Sequence, residues 1–398
     1  MIEELRVQNY KALRDVTLKL TPVHVLIGPN DSGKTSILEA LAALCRSVDH
    51  SLPDAFLGDW QNRALVWRRL SEPVLLEVMV ATGIRYALSC QFGPSGRSAR
   101  IHGEWAAVEG HRLDFAVDSS SQTAMNRIRA SGAKPNFHTS TLGGDCAGAT
   151  WERILDSIAG VQIYRWNPRL LALPAAADAK RRFDMDPTGF GLPLFLDNIL
   201  GFDRSRFAEL ERELQHVFPE IESIKLMPEV GYRNPIDDPK QVPTLKPADG
   251  KGIHFGFADN GHVISAAQVS DGVLLVLAYL TILHSPEPPR VLLIEEPENG
   301  VHPKRLKEVL EILRQLVQEG ARTQVVLTTH SPYALDLFKP EEVTLCHKEP
   351  DGSVSVHRLS DSPMVREQLK TFTLGEIWTT EGDEKLAASA ARAEGTLQ

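Results

Sequence analysis

Gly28, Gly33, Lys34 and Thr35 stand at the spacing GxxxxGK[ST], inside the stretch "GPNDSGKT" at 28–35. That pattern points to triphosphate binding. Glycines let successive backbone N–H groups wrap a β-phosphate with no Cβ in the way. A helix opening directly behind the loop adds the partial positive charge of its N-terminus. Asn30, Asp31, Ser32 and Ser36 fill out the loop and the helix entry. Lys34 would reach the β- and γ-oxygens, and the Thr35 hydroxyl would ligate Mg²⁺. The alternative, a glycine-rich turn with a chance lysine, sits poorly with an apolar strand before the loop and a helix after it.

Three further stretches carry reactive side chains. "VLLIEE" at 291–296 is four apolar residues ending in two acids. Glu295 would hold Mg²⁺ through water, and Glu296 would accept a proton from an attacking water. Neighbouring strand residues point to opposite faces, which suits two roles. Taken alone, the pair could also be a solvated strand end. "VVLTTHSPYALD" places His330 after another apolar strand, where it could sense or polarise a γ-phosphate. A lone histidine is more often structural, so its neighbours must carry that assignment. His302, after "PENGV", reads as structural or dimer-facing. In "QVSDGVLLVLAYLTIL" at 268–283, Ser270 or Asp271 can cap an apolar helix, with Gly272 next. In isolation this is a capped, buried helix.

The elements that must position these residues follow from periodicity. "ELRVQNY", "DVTLKL" and "VHVLI" alternate or run apolar as strands do. A helix from Lys34 to about Leu44 lines up Ile37, Leu38, Leu41 and Leu44. "LVWRRL", "VLLEVMVA", "RYALSCQF" and "ARIHGEWAAV" read as antiparallel strands, because the gaps hold no crossover helix. Residues 117–150 read as a polar, loop-rich insertion. Residues 203–218 form an amphipathic helix with Phe207, Leu210, Leu214 and Val217 on one face, too short for a coiled-coil arm. A Pro- and Asp-rich loop at 234–250 precedes a hairpin turning at Asn260-Gly261. A helix from Pro303 closed by Gly320, then strands "QVVLTTH", "VTLCH" and "SVSVHRL", return the pattern to α/β.

The chain has 398 residues, 42% hydrophobic and 24% charged, an ordinary globular mix for one large domain or two lobes. A net charge of −9 gives no global pull toward nucleic acid. Locally, "KRRF" at 180–183 with Arg165 and Arg169 could bind a phosphate backbone or be a solvated face. Cys45, Cys90, Cys146 and Cys346 show no zinc or disulfide spacing. The first residues carry acids where a secretory signal needs a basic region, and no apolar run reaches membrane-spanning length. The expectation is a soluble protein of a reducing, cytoplasmic compartment, with no membrane partner.

"NYKALRDVTLKL", "GPNDSGKT", "SDG", "EEPENGVHP" and "TTHSP" occur in the order of ABC-class ATPases, and the chain resembles the SMC/RecF/OLD-like branch of that class. The resemblance implies an α/β P-loop fold of the ABC-ATPase head type, with a mixed central sheet, an antiparallel β subdomain and a helical lobe. It implies lobes at 1–116, 117–252 and 253–360 and a tail at 361–398. It further implies ATP and Mg²⁺ as ligands and a head-to-tail homodimer or higher assembly. Ser270 and Gly272 of one copy would then touch the γ-phosphate on the other copy's loop, and Pro297 to Gly300 would cross the interface. Lys11 matches a position where relatives place a basic residue near the nucleotide. Glu295 stands where transporter relatives have Asp, and "VSDG" replaces a transporter-type "LSGGQ". Gln162 and Gln91 are weak candidates for the glutamine loop. "TTEGDEKL" at 379–386 echoes the start of a TOPRIM nuclease, but too few residues follow to complete one, so the stretch reads as a chance helix start and any nuclease or toxin effector is expected on a separate chain. An ATP switch or motor in DNA transactions or antiphage defence is one role this suggests. A slow, nucleotide-gated scaffold that holds a toxin or nuclease is the other.

Overall fold

Alternating burial builds the first sheet. Leu5, Val7 and Tyr10 of β1 (Ile2–Tyr10) face inward, and β2 (Leu13–Lys19) answers with Val16 and Leu18, paired antiparallel as Val7↔Val16 and Leu5↔Leu18. With β4 (Val74–Val80), β5 (Ile84–Phe92), β6 (Ala99–Val108) and β7 (His111–Asp114) they form an antiparallel sheet of order β2-β1-β4-β5-β6-β7. The computed structural model describes all residues except 58–64, 70–71, 81–82, 93–98, 109–110, 116–121, 125, 127–151, 177–182, 233–246, 259–260, 319–322 and 396–398. Most of the expected insertion at 117–150, most of "KRRF", Cys146, Asn260 and Gly320 therefore lie outside the described residues.

The second sheet is mixed. Every residue of β3 (Val23–Ile27) is buried, as a strand covered on both faces requires. It runs parallel to β14 (Gln324–Thr328) on one side and β15 (Val343–Lys348) on the other. The full order is β16-β15-β3-β14-β13-β8, with β16 (Val354–Arg358) antiparallel at one edge and β13 (Val291–Glu295) and β8 (Val161–Tyr164) at the other. The Gln324 amide links the two sheets. Its Oε1 accepts from Ile2 N and its Nε2 donates to Ile2 O, both at 2.8 Å.

The chain divides into two compact units, Met1–Gln162 with Pro289–Leu293 and Thr323–Gln398, and Ile163–Pro288 with Ile294–Arg322. Strands β8 and β13 start in the first and end in the second. The first also holds α1 (Lys34–Arg46), whose buried Ile37, Leu38, Leu41 and Leu44 are the expected stripe. The second contains a four-stranded sheet, β10-β9-β11-β12, from β9 (Ala175–Ala176), β10 (Ile221–Tyr232), β11 (Pro247–Phe257) and β12 (Val263–Ser265). Its longer helices among the described residues are α2 (Leu192–Phe202), α3 (Arg204–Val217), α4 (Asp271–Leu283) and α5 (Pro303–Gln315). Asp203 caps α3 by accepting from Ser205 N and Arg206 N. Helix α4 is buried on every side from Val273 to Ile282, so it shows no polar face.

Two local expectations are corrected. "LVWRRL" is not a strand. It carries one bridge, Tyr10↔Val66, then a 3₁₀ turn at Trp67–Arg69. The Arg68 guanidinium lies 5.0 Å from the Trp67 ring and donates to Asp351 O at 2.5 Å, contacts that hold Arg68 at φ 46. The loop read over 234–250 ends early, because residues 247–250 pair with 229–232, and Pro247 is tolerated as the first residue of β11. The helix expected at "TTEGDEKL" is present, since the stretch lies inside α6 (Leu374–Gly395), which kinks at Gly382 with φ 76. No helix among the described residues is long and apolar enough to cross a membrane.

Candidate functional site

The phosphate loop begins where β3 stops. Gly28 (φ 135), Asp31 (φ 64) and Gly33 (φ 91) take the left-handed side of backbone space, which folds residues 28–33 into a concave turn ahead of α1. A Cβ on Gly28 would run into the Cys346 carbonyl, and one on Gly33 would lie 2.6 Å from Val354 Cγ2. Lys34 is 6% exposed, and its Nζ donates to Gly28 O and Pro29 O, both at 2.8 Å. Ser32 is buried and its Oγ has no hydrogen-bond partner. A buried hydroxyl without a partner, beside a buried lysine in a glycine-bearing turn, suits a ligand rich in acceptor oxygens, so these residues fit a phosphate chain. Thr35 and Ser36 are half-buried in the first turn of α1, and Asn30 is exposed.

Two other expected residues belong to the same unit. Lys11, at φ 51 in the β1–β2 turn, pairs with the buried carboxylate of Glu39 on α1 and lies 5.6 Å from the Tyr10 ring centroid. His330 follows β14. Thr329 N donates to Leu26 O at 3.1 Å, so the half-buried histidine follows the same end of the parallel strands β14 and β3 from which the phosphate loop starts.

The acids belong to the second unit, and only one of them is on a strand. Glu295 is the last residue of β13. Glu296 has φ 50 and opens a turn in which Asn299 N donates to Glu296 O at 3.0 Å and Asn299 Nδ2 donates to Glu296 Oε2 at 2.5 Å. The expected alternation of two strand carboxylates therefore does not apply. A left-handed backbone aims Glu296 instead, at a strain of about 1–2 kcal/mol. Glu295 is 11% exposed at its side chain and lies 3.7 Å from Arg165 Nη1, whose own side chain is 80% exposed. Arg165, Trp166, Tyr279, Glu295, Glu296 and Asn299 line a cavity of about 70 Å³, room for a few waters. Trp166 packs 4.5 Å from Tyr279, and its buried Nε1 has no hydrogen-bond partner. Burial pushes the Tyr279 phenol well up, so the ring stays neutral.

Ser270 is the N-cap of α4. Its side chain makes no capping bond, while its carbonyl accepts from Val273 N at 3.0 Å. Ser270 and Asp271 are exposed. The turn after the acids abuts them: a Cβ on Gly300 (φ 85) would lie 3.0 Å from Leu275 Cδ1 and 3.5 Å from Asp271 Cβ, and one on Gly272 would lie 3.8 Å from Gly300 O. The "SDG" stretch and the Pro297–Gly300 turn thus share one surface.

Lys11, Gly28 to Ser36 and His330 accordingly fall in one unit, and Ser270, Asp271, Gly272, Glu295 and Glu296 in the other. Sequence reading missed the Arg165–Glu295 pair, the Glu296–Asn299 turn and an ion pair between Lys348 and Asp31. No local signal marks residues 130 or 317 positions apart as partners. Gln162 lies inside β8 and Gln91 inside β5.

Residues 1–94 match the family described as AAA ATPase domain, and residues 189–336 match an AAA domain family whose description links it to the AbiEii toxin of type IV TA systems. Among curated relatives, the chain is similar to an OLD nuclease of Thermus scotoductus, 23% identical over 403 residues that cover 98% of this chain and 71% of that protein. It is also similar to the DNA replication and repair protein RecF of Limosilactobacillus reuteri, 30% identical over 105 residues, 26% of either chain. Solved structures similar to it include an Smc head bound to the C-winged helix domain of ScpA, at TM-score 0.49 and 14% identity, covering 89% of this chain and 96% of that one. Another is the SMC head domain from Thermotoga maritima, at TM-score 0.41 and 12% identity, covering 89% and 97%.

Proposed function

Because the chain belongs to the ABC-class P-loop ATPases of the SMC/RecF/OLD-like kind, we propose that it hydrolyses ATP with Mg²⁺ in a site completed by a second copy of itself. Nucleotide is held by the turn of Gly28, Asn30, Asp31, Ser32 and Gly33, with Lys34 exchanging its two carbonyl acceptors for phosphate oxygens. Mg²⁺ supplies charge neutralisation on the phosphates. Thr35 would hold it by its hydroxyl, and Glu295 through water. Glu296 takes the proton of the attacking water, His330 answers to the γ-phosphate, and Lys11 adds positive charge near the nucleotide.

One observation carries the two-copy reading. Ser270 occupies an N-cap position, exposed, without spending its hydroxyl on the cap. A cap serine normally accepts from the N2 or N3 amide. Left out of that bond, the hydroxyl and the N-terminus of α4 offer an anion site to something outside this chain. The second copy's γ-phosphate is the matching charge. Gly272 lets a partner approach closely, Asp271 starts the helix, and the Pro297–Gly300 turn lies on the same face.

Ser270→Arg should leave ATP binding to the monomer intact while removing ATP-dependent dimerisation and turnover. Mass measurement in solution with and without ATP, alongside nucleotide titration, reads both. Dimerisation and turnover at wild-type levels would falsify the composite site. For the biological role we infer an ATP switch or motor in DNA transactions or antiphage defence, working with a separately encoded nuclease or toxin. The OLD and RecF relatives support the DNA side, and the match to the AbiEii-linked family supports the toxin side.

A further inference from the structure

The phosphate loop contains a negative charge of its own. Asp31 sits within "GPNDSGKT" at φ 64, a backbone state that Asp shares with Gly and Asn. Either of those would serve the turn without a charge. A carboxylate on a loop that wraps phosphates opposes the binding of every anionic ligand it receives.

Its counter-charge comes from the far end of the chain. Lys348, the last residue of β15, forms an ion pair with Asp31, 317 residues away in sequence. The pair is exposed, with 43% of the lysine side chain and 80% of the aspartate side chain open to solvent, so it adds little to folding. Its consequence falls on the ligand. The same β15–β16 segment backs the loop at two other points, the Cys346 carbonyl behind Gly28 and the Val354 side chain behind Gly33. Lys348 is thus delivered by a wall already pressed against the loop.

We propose that Lys348 is a positioning residue for nucleotide binding, which acts by neutralising and tethering Asp31 so that the loop presents net positive charge to the phosphates. The inference rests on the reading of residues 28–35 as the nucleotide site. It assigns Lys348 no contact with the nucleotide, so its influence runs through Asp31.

That makes a double-mutant cycle the test, read as the Kd for ATP by fluorescence titration on the full chain at low salt. Lys34→Ala is the control for the underlying reading: if it binds ATP as wild type does, the nucleotide site itself is wrong. With that control passed, Lys348→Ala should weaken ATP binding on the order of five-fold, and by less at 0.5 M salt, as screening demands. Lys348→Arg should restore binding. In an Asp31→Asn background, Lys348→Ala should change Kd by less than about two-fold. An equal loss in both backgrounds, or no loss in either, overturns the proposal. Thermal unfolding of each variant separates a binding effect from a folding defect.

Discussion

The phosphate loop and the acid turn are both sharp bends at the end of a buried strand, yet they are built differently. Six consecutive residues make the first, with two glycines carrying most of its unusual backbone and Lys34 folding back onto Gly28 O and Pro29 O. The second puts the non-glycine Glu296 at φ 50, and its neighbours come from three separate stretches, Arg165–Trp166, Tyr279 and Asn299. The loop has a left-handed non-glycine residue too, Asp31 at φ 64, but its lysine and glycines come from one continuous stretch. In the acid turn the left-handed residue is the candidate base itself, and the residues around it are distant in sequence. The contrast suggests that damage to the loop removes binding, and damage to the turn removes chemistry while binding survives.

The largest separation between the two should come from Glu296→Gln. Loss of a general base lowers turnover by about 10² to 10⁴-fold, while the amide keeps the shape of the Asn299 contact. ATP affinity should hold within about two-fold of wild type, and a long-lived ATP-bound dimer should accumulate on size-exclusion chromatography. Turnover at the normal rate would remove Glu296 from the chemistry and leave the turn a structural bend.

A second difference lies beneath the loop. His24, on β3, is fully buried between Thr21 Oγ1 at 3.1 Å and Thr344 Oγ1 at 3.0 Å. Burial foremost, then the charge of Arg358, pushes its pKa from 6.5 down to about 3. Its folded pKa is therefore depressed. Above pH 6.5 both states are neutral and nothing is lost; as pH falls from about 6.5 toward 3, only the unfolded chain gains the proton and stability drains away. The slope is about 1.4 kcal/mol per pH unit, ten-fold in the folding constant. His24→Gln should flatten the pH dependence of the transition of the phosphate-loop unit by about that slope between pH 4 and 6, measured by urea unfolding. An unchanged slope would mean that the imidazole is protonated in place.

How far the sequence told of each region follows from the same contrast. Strands β1 to β6, helix α1 and the loop were legible because their determinants are consecutive: apolar alternation, glycine placement, and a lysine at the helix start. A cap at Ser270 or Asp271 was legible, and the structure adds that it is Ser270 and that the side-chain cap bond is not made. Glu296 was misread as a strand residue because nothing in "VLLIEE" announces a left-handed residue after Glu295. "LVWRRL" was misread because its apolar and aromatic content fits a strand, while the contacts that turn it belong to Asp351, 283 residues from Arg68. Arg165 was noticed only as a candidate for a phosphate backbone, since its partner Glu295 is separated from it by most of the second unit.

Arg165 offers the finest test, with the smallest expected effect. Its guanidinium lies 3.7 Å from Glu295, a carboxylate otherwise largely shielded from solvent. If Glu295 serves Mg²⁺, arginine and metal compete for one acid, because a cation held there repels another. Arg165→Ala should then lower the Mg²⁺ concentration needed for half-maximal ATP binding by about three-fold, no more, since a pair this exposed is worth at most about 1 kcal/mol. The measurement is best made in the Glu296→Gln background, where turnover does not deplete the nucleotide. A rise in the Mg²⁺ requirement would carry the opposite meaning: arginine holds the carboxylate ready, and the acid turn needs its distant partner even to bind.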